Sequence, residues 1–146
     1  MAVINSIANR QDEMRGWRHL LHQHPETSYE EIWTSNFIAE KLTSFGIETH
    51  RGMGKTGVVG ILRGKGNSEA AIGLRADMDG LPVKEQSNLP YRSEQMGEYN
   101  GNEVPVMHAC GHDTHMAMLM GAAKVLSELK GELKGKVKFI FQPAEE

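Results

Sequence analysis

The sequence has one cysteine and no long apolar run, and each scarcity removes a class of protein. Cys110 alone cannot close an intrachain disulfide, so the chain is not a disulfide-stapled scaffold. Its thiol is left free for chemistry, as suits a reducing compartment. No stretch approaches the roughly 20 apolar residues of a membrane span, and the first residues lack the basic-then-apolar order of a secretion signal. The expected location is therefore the cytoplasm. Surplus positive charge is missing too. Lys and Arg number 16 against 19 Asp and Glu, a net charge of -3, which leaves no electrostatic footprint for nucleic acid or an anionic membrane. At 146 residues the chain can bury one core but is short for two domains, and it shows no repeat or low-complexity tract.

What is present alternates in period. Ile4, Ile7, Met14, Trp17, Leu20 and Leu21 recur at mostly helical spacing, which predicts an amphipathic helix over 4–23 that Pro25 ends. Ser28 and Glu31 have the spacing of a capping box for a second helix, with Ile32, Phe37, Ile38, Leu42 and Phe45 as its buried stripe and Gly46 beyond its end. Strands are expected at 47–50, 57–63, 70–75 and 136–141. The turn chemistry of residues 64–68 suggests that the second and third of these pair as a hairpin. Residues 83–107 show little periodicity and read as a long loop, functional or mobile, and 116–130 reads as a helix. Helices followed by strand, strand, helix and strand predict a three-layer α/β domain with a largely parallel central sheet.

Three stretches carry chemistry. His108 to His115 holds the lone cysteine and three of the seven histidines, and Cys110 and His112 at the mouth of a helix suit a divalent metal. The same stretch also reads as a histidine-rich turn that caps the helix. Asp77 and Asp79 follow one strand and can be turn residues, while Glu145 and Glu146 follow another and can be a solvated chain end. In an open α/β sheet, however, ligands bind beyond the C-terminal strand ends. If those strands are parallel, all three stretches share a rim, and so many anions there would repel one another without a cation among them.

Four segments, LHQHPE (21–26), LRADMDGLP (74–82), HACGHDTHMAML (108–119) and FQPAEE (141–146), resemble in order and spacing one family. It is the metal-dependent amidohydrolases that include hippurate hydrolase, N-acyl amino acid amidohydrolase and plant indole-acetyl amino acid hydrolase. The resemblance implies a three-layer α/β/α zinc-peptidase-like catalytic domain, of which residues 1–146 are the N-terminal part. It implies two divalent ions, manganese or zinc, with cobalt or nickel also suited to the donors. Cys110, His112 and Glu146 match metal ligands, Glu145 the general base toward the attacking water, and Asp79 an acid that supports the metal site from behind. The implied reaction is hydrolysis of the amide bond of small N-acyl amino acids, by a homodimer in the complete enzyme, with no nucleic-acid or membrane partner.

Family members are much longer, and the remaining ligand histidines and an inserted lid and dimerisation domain are absent here. An inactive fragment is therefore expected. Thr27 and Thr114 stand where leucine and glycine are common. Two other readings compete. One is a non-catalytic metal-binding remnant. The other is a thiol enzyme built on Cys110, which leaves the glutamate pair and LRADMDGLP without a task.

Overall fold

The computed structural model describes residues 4–146. The spacing expected to give one helix over 4–23 gives two, α1 (Asn5–Ala8) and α2 (Gln11–Gln23), with a turn at Asn9 and Arg10 between them. α2 buries Trp17, Leu21 and His22 and stops before Pro25. α3 (Ile32–Ser44) follows, but not through the expected capping box. Its first free amides, Trp33 N and Thr34 N, both donate to the Glu26 carboxylate at 2.9 Å. A carboxylate there also meets the positive end of the helix dipole, so Ser28 and Glu31 are released for other partners.

Four strands form the main sheet: β1 (Glu48–Met53), β2 (Gly57–Arg63), β3 (Ala71–Asp77) and β6 (Lys136–Gln142), in the order β1-β2-β6-β3. The expected β2–β3 hairpin does not exist. β6 lies between them, antiparallel to β2 and parallel to β3. The reason is local: the amides of Gly64, Gly66 and Ser68 donate to the carbonyls of Gly135, Leu133 and Lys134, so this turn runs beside the approach to β6 instead of folding back on β2. β6 brings Val137, Phe139 and Phe141 to the core, and a fully buried Phe contributes about 1.5–3 kcal/mol. The interior position goes to β6, and β3 takes the edge with Ile72 63% exposed. The sheet is thus mixed, with one parallel pair.

That pair is the one that matters. Asp77 stands in register with Gln142, so the segments leading to Asp79 and to Glu146 leave the sheet at the same end. Between β3 and β6 the chain forms β4 (Met96–Tyr99), β5 (Asn102–Pro105) and α4 (His112–Glu128). β4 and β5 are a hairpin inside the stretch expected to lack structure, turning on Asn100 at φ 51° and Gly101 at φ 76°. Thr27 Oγ1 donates to Glu98 O at 3.0 Å and ties this hairpin to the segment after α2. α2, α3 and α4 pack together over one face of the sheet, where Leu21, Ile38, Leu42, Met116 and Met120 meet Val58, Leu62, Phe139 and Phe141. The α/β class stands as expected, but the sheet expected to be largely parallel has two antiparallel pairs and one parallel pair. The described residues build its sheet and one helical layer, and the opposite sheet face leaves Val59, Ile61 and Ile140 half-buried. Among the described residues no helix is long and apolar enough to cross a membrane.

Candidate metal centre

His112 is the first residue of α4, entered through Gly111 at φ 97°, a backbone turn that L side chains rarely adopt. The buried ring of His112 sets its Nδ1 against the main-chain carbonyl of Asp79 at 2.9 Å. A carbonyl only accepts, so Nδ1 carries a hydrogen, and in the neutral ring Nε2 is left with its lone pair. That lone pair looks into acids: Glu145 Oε2 lies 3.6 Å away and Glu146 Oε1 4.0 Å.

Asp79 lies behind the ring. Its carboxylate is buried, with Oδ2 accepting from Ser28 Oγ at 2.9 Å and from Glu146 N at 3.0 Å, while Oδ1 has no hydrogen-bond partner and lies 3.4 Å from His112 Nδ1. Burial pushes the Asp79 carboxyl up, but the donors from Glu146 and Ser28 outweigh it and hold the group below the usual carboxylate range. It therefore stays ionised behind the imidazole, as a group that orients a metal ligand should.

Cys110 is exposed, and its sulfur falls into one donor group with His112 and Glu146, all ligand atoms within 4.8 Å of one another. A second group of the same size joins Asp77, His112 and Glu145. A hydrogen bond with Glu146, then burial and the charges of Glu146, Glu145 and Asp79, raise the thiol above its usual pKa. Left to itself this cluster opposes its own thiolate. The charge of a divalent cation opposes these effects and favours the thiolate, and thiolate, imidazole and carboxylate are donors that such a cation takes. The residues fit a metal.

The structure brings together every residue expected at the site: Asp79, Cys110, His112, Glu145 and Glu146. Asp77, named with Asp79 on the same rim, joins them as a candidate donor, and its Oδ1 accepts from Arg75 Nε at 2.8 Å. His108 stands apart from both donor groups. It is buried with neither ring nitrogen hydrogen-bonded among the described residues, and burial lowers its pKa to about 4, which keeps it neutral. His24 is also separate, stacked on Trp33 at 4.2 Å between ring centres.

A second buried polar cluster lies beside the first. His22 places Nδ1 2.7 Å from Asp113 and Nε2 3.1 Å from Glu85, and Arg18 Nε lies 3.0 Å from the same Asp113 oxygen. It joins α2, the start of α4 and the loop after β3. His22 and Asp113 belong to quoted segments, yet nothing in their spacing marks them as partners 91 positions apart.

The sequence profile of peptidase family M20/M25/M40 matches residues 73–146, half of the chain and all of the candidate centre. The chain belongs to that family. Along its full length it is 46% identical to the hippurate hydrolase of Campylobacter jejuni, covering 35% of that protein. It is 43% identical to thermostable carboxypeptidase 2 of Saccharolobus solfataricus, again over all of this chain and 36% of the relative. With the N-acyl-L-amino acid amidohydrolase of Geobacillus stearothermophilus it shares 44% identity over 89% of the chain and 33% of that enzyme. A solved dinuclear metal binding peptidase of the M20 family from Bacillus subtilis superposes with a TM-score of 0.82 at 39% identity, over 98% of this chain and 37% of that one. The chain thus spans about a third of the length of these M20 relatives, all hydrolases by name.

Proposed function

We propose that residues 1–146 are the N-terminal part of the catalytic domain of a metal-dependent amidohydrolase acting on small N-acyl amino acids. The observation that carries the reading is the lone pair of His112 Nε2 facing Glu145 and Glu146 at 3.6 and 4.0 Å, with Cys110 alongside. An imidazole, carboxylates and a thiol converge there, and among the described residues no lysine or arginine nitrogen lies within 4 Å of the Glu145 or Glu146 carboxylate, Arg75 being paired with Asp77. The hippurate and N-acyl amino acid hydrolases among the relatives support the substrate class, and the carboxypeptidase supports the same bond type.

Cys110, His112 and Glu146 would hold one of two divalent ions, manganese or zinc by donor type with cobalt or nickel also accommodated. When bound, such ions polarise an amide carbonyl and acidify water. The chain's own residues do the rest. Asp79 fixes the His112 ring and its tautomer through the main-chain carbonyl and the buried carboxylate. Glu145, 40% exposed at its side chain, reaches into the centre from the open side and accepts the proton of the attacking water at a carboxylate oxygen. The same carboxyl then returns that proton to the departing amine, so that an acid and a free amino acid leave. A thiol kept reduced to serve as ligand fits the cytoplasm.

The centre is open in this chain: Cys110 and both glutamates reach solvent. Water exclusion strengthens such chemistry, so residues 1–146 alone are proposed to bind metal without turning over substrate, and the homodimer belongs to the longer enzyme. Cobalt titration of the purified chain, followed by hydrolysis assays with hippurate, N-acetyl amino acids and a carboxypeptidase peptide, tests this. Thiolate-to-cobalt absorption without turnover is the expected result. Absence of cobalt uptake removes the metal reading, and turnover by the chain alone removes the view that more residues are required. In a complete enzyme carrying this region, cleavage of the peptide but not of hippurate would replace the substrate class.

A further inference from the structure

Glu31 is fully buried, yet the helix it precedes does not need it. The first amides of α3 are taken by Glu26, and among the described residues no cationic side chain lies within 4 Å of the Glu31 carboxylate. A buried carboxylate without a cation opposes folding unless its hydrogen bonds compensate, so stability alone is a poor reason for this residue to stand here. Its two oxygens have specific partners. Oε2 accepts from the Thr56 hydroxyl at 2.6 Å, in the turn between β1 and β2, and Oε1 accepts from Ala144 N at 2.9 Å.

Ala144 is the residue before Glu145, and it sits at φ 51°, in the left-handed region that residues other than glycine avoid. The turn that Thr56 belongs to also receives Pro143. A Cβ on Gly57 would meet Pro143 Cδ at 3.0 Å and crowd the carbonyl of Met53, so only glycine lets the two segments approach this closely. Two residues after Ala144, Glu146 N is held by Asp79 Oδ2 at 3.0 Å. Glu145 is therefore carried on a backbone pinned on both sides, by Glu31 before it and Asp79 after it.

We propose that Glu31 is a positioning residue for the Glu145–Glu146 pair: through Ala144 N it holds the left-handed bend that turns both carboxylates toward His112. The proposal rests on the reading of Glu146 as a metal ligand, and it extends that reading to a residue 114 positions from Glu145. Without the bond, Ala144 relaxes toward its ordinary negative φ and the carboxylates swing away from the His112 ring. Glu31→Gln keeps the device, because an amide oxygen can accept from Ala144 N while the amide group donates to Thr56. Glu31→Ala removes it. Thr56→Val breaks only the other bond and serves as a control for general loosening.

The experiment uses the 146-residue chain and two readouts. Without metal, amide exchange followed by NMR should show the Ala144 and Glu146 amides losing protection in Glu31→Ala and keeping it in Glu31→Gln and Thr56→Val. With cobalt, Glu31→Ala should bind about tenfold or more weakly, the order expected when a ligand loses its support, and Glu31→Gln should restore binding. Adding Ala144→Gly, which lowers the cost of positive φ, should recover part of the affinity lost by Glu31→Ala. Equal protection at Ala144 and Glu146 in wild type and Glu31→Ala would overturn the proposal. So would a loss of cobalt affinity in Thr56→Val matching that in Glu31→Ala. If Glu31→Ala does not fold, Glu31→Met, which fills the space and accepts no amide hydrogen, takes its place. If the wild-type chain binds no cobalt, the metal reading fails while the amide readout still decides for or against Glu31.

Discussion

His112 gives its Nδ1 hydrogen to the main-chain carbonyl of Asp79, 2.9 Å away, and so turns a bare Nε2 toward Glu145 and Glu146. Asp79 adds a carboxylate whose Oδ1 has no partner and lies 3.4 Å from the same nitrogen. The tautomer is therefore set from behind, by a residue that lies outside both groups of candidate ligands.

Asp79→Asn tests that support. If the asparagine oxygen keeps Ser28 and the Glu146 amide, its amide group faces the hydrogen on His112 Nδ1, donor against donor. The expected cost is about 1–3 kcal/mol of stability, the usual penalty for an unsatisfied buried polar group. Metal affinity should fall as well, by about 10–100-fold as for lost support of a metal ligand. Urea unfolding beside a cobalt titration measures both. Unchanged affinity in a destabilised variant would reduce Asp79 to a structural residue.

A second prediction follows from the thiol. The Cys110–Glu146 hydrogen bond, with burial and the nearby acids, keeps sulfur protonated in the metal-free chain. A metal that takes thiolate must displace that proton, so affinity should rise by roughly tenfold per pH unit below the thiol pKa for this proton alone. Isothermal titration in buffers of different ionisation enthalpy should count the proton released. Cys110→Ser should remove both the release and the sulfur-to-cobalt absorption. A thiolate band without proton release would mean that the acids do not hold the proton as described.

The pH dependence of stability should come from the neighbouring cluster. Both ring nitrogens of His22 face acids, and only the imidazolium can donate to Asp113 and Glu85 together. The Asp113 bond, against burial and with help from Glu85, raises the His22 pKa above 6.5. Burial lifts Glu85, but Ser87, Ser93 and His22 bring it below 4.5. A raised base stabilises fully below its unfolded value and loses this as pH climbs through the folded one. A depressed acid stabilises above its unfolded value and loses this as pH drops through the folded one. The His22–Glu85 pair therefore contributes in full between pH 4.5 and 6.5 and less on either side. Unfolding at about pH 5.5, 7.5 and 9 should show the decline, and Glu85→Gln should cost about 1–3 kcal/mol at the lowest of these and flatten the curve. A profile unaltered by Glu85→Gln would remove the pair as its source.

Much of this was legible in the residues. Periodicity located α2, α3, α4 and the four strands of the sheet, because amphipathic helices and apolar strands write their burial into local spacing. Strand order was not legible. Residues 64–68 have turn chemistry and do turn, but what the turn packs against, Leu133 to Gly135, lies far along the chain. The β4–β5 hairpin left a readable signal in Asn100-Gly101, a favoured two-residue turn that the lack of alternation around it hid. At the centre, Asp79, Cys110, His112, Glu145 and Glu146 come from three of the four quoted segments and lie together. The roles of Ser28 and Glu31 did not show, because their spacing fits a helix cap that Glu26 fills from five residues before Glu31. Partners chosen by tertiary approach leave no local period.

The two glutamates remain to be separated. In extended backbone their side chains would point in opposite directions, but the bend at Ala144 brings both within 4.0 Å of His112 Nε2. Glu146 shares a donor group with Cys110, and Glu145 shares one with Asp77. In the proposed function sulfur helps to hold the first ion, so Glu146→Gln should weaken cobalt binding and shift the sulfur-to-cobalt band. Glu145→Gln should leave that band and its affinity nearly unchanged, since the amide keeps the shape and removes only the capacity to take a proton. In a complete enzyme carrying this region, Glu145→Gln should then lower kcat by about 10²–10⁴-fold with metal content intact, the usual cost of losing a general base. Metal analysis beside kinetics on both variants separates the roles. If Glu145→Gln strips the metal while Glu146→Gln retains it, the two assignments are reversed, and Asp77 rather than Cys110 marks the tighter ion.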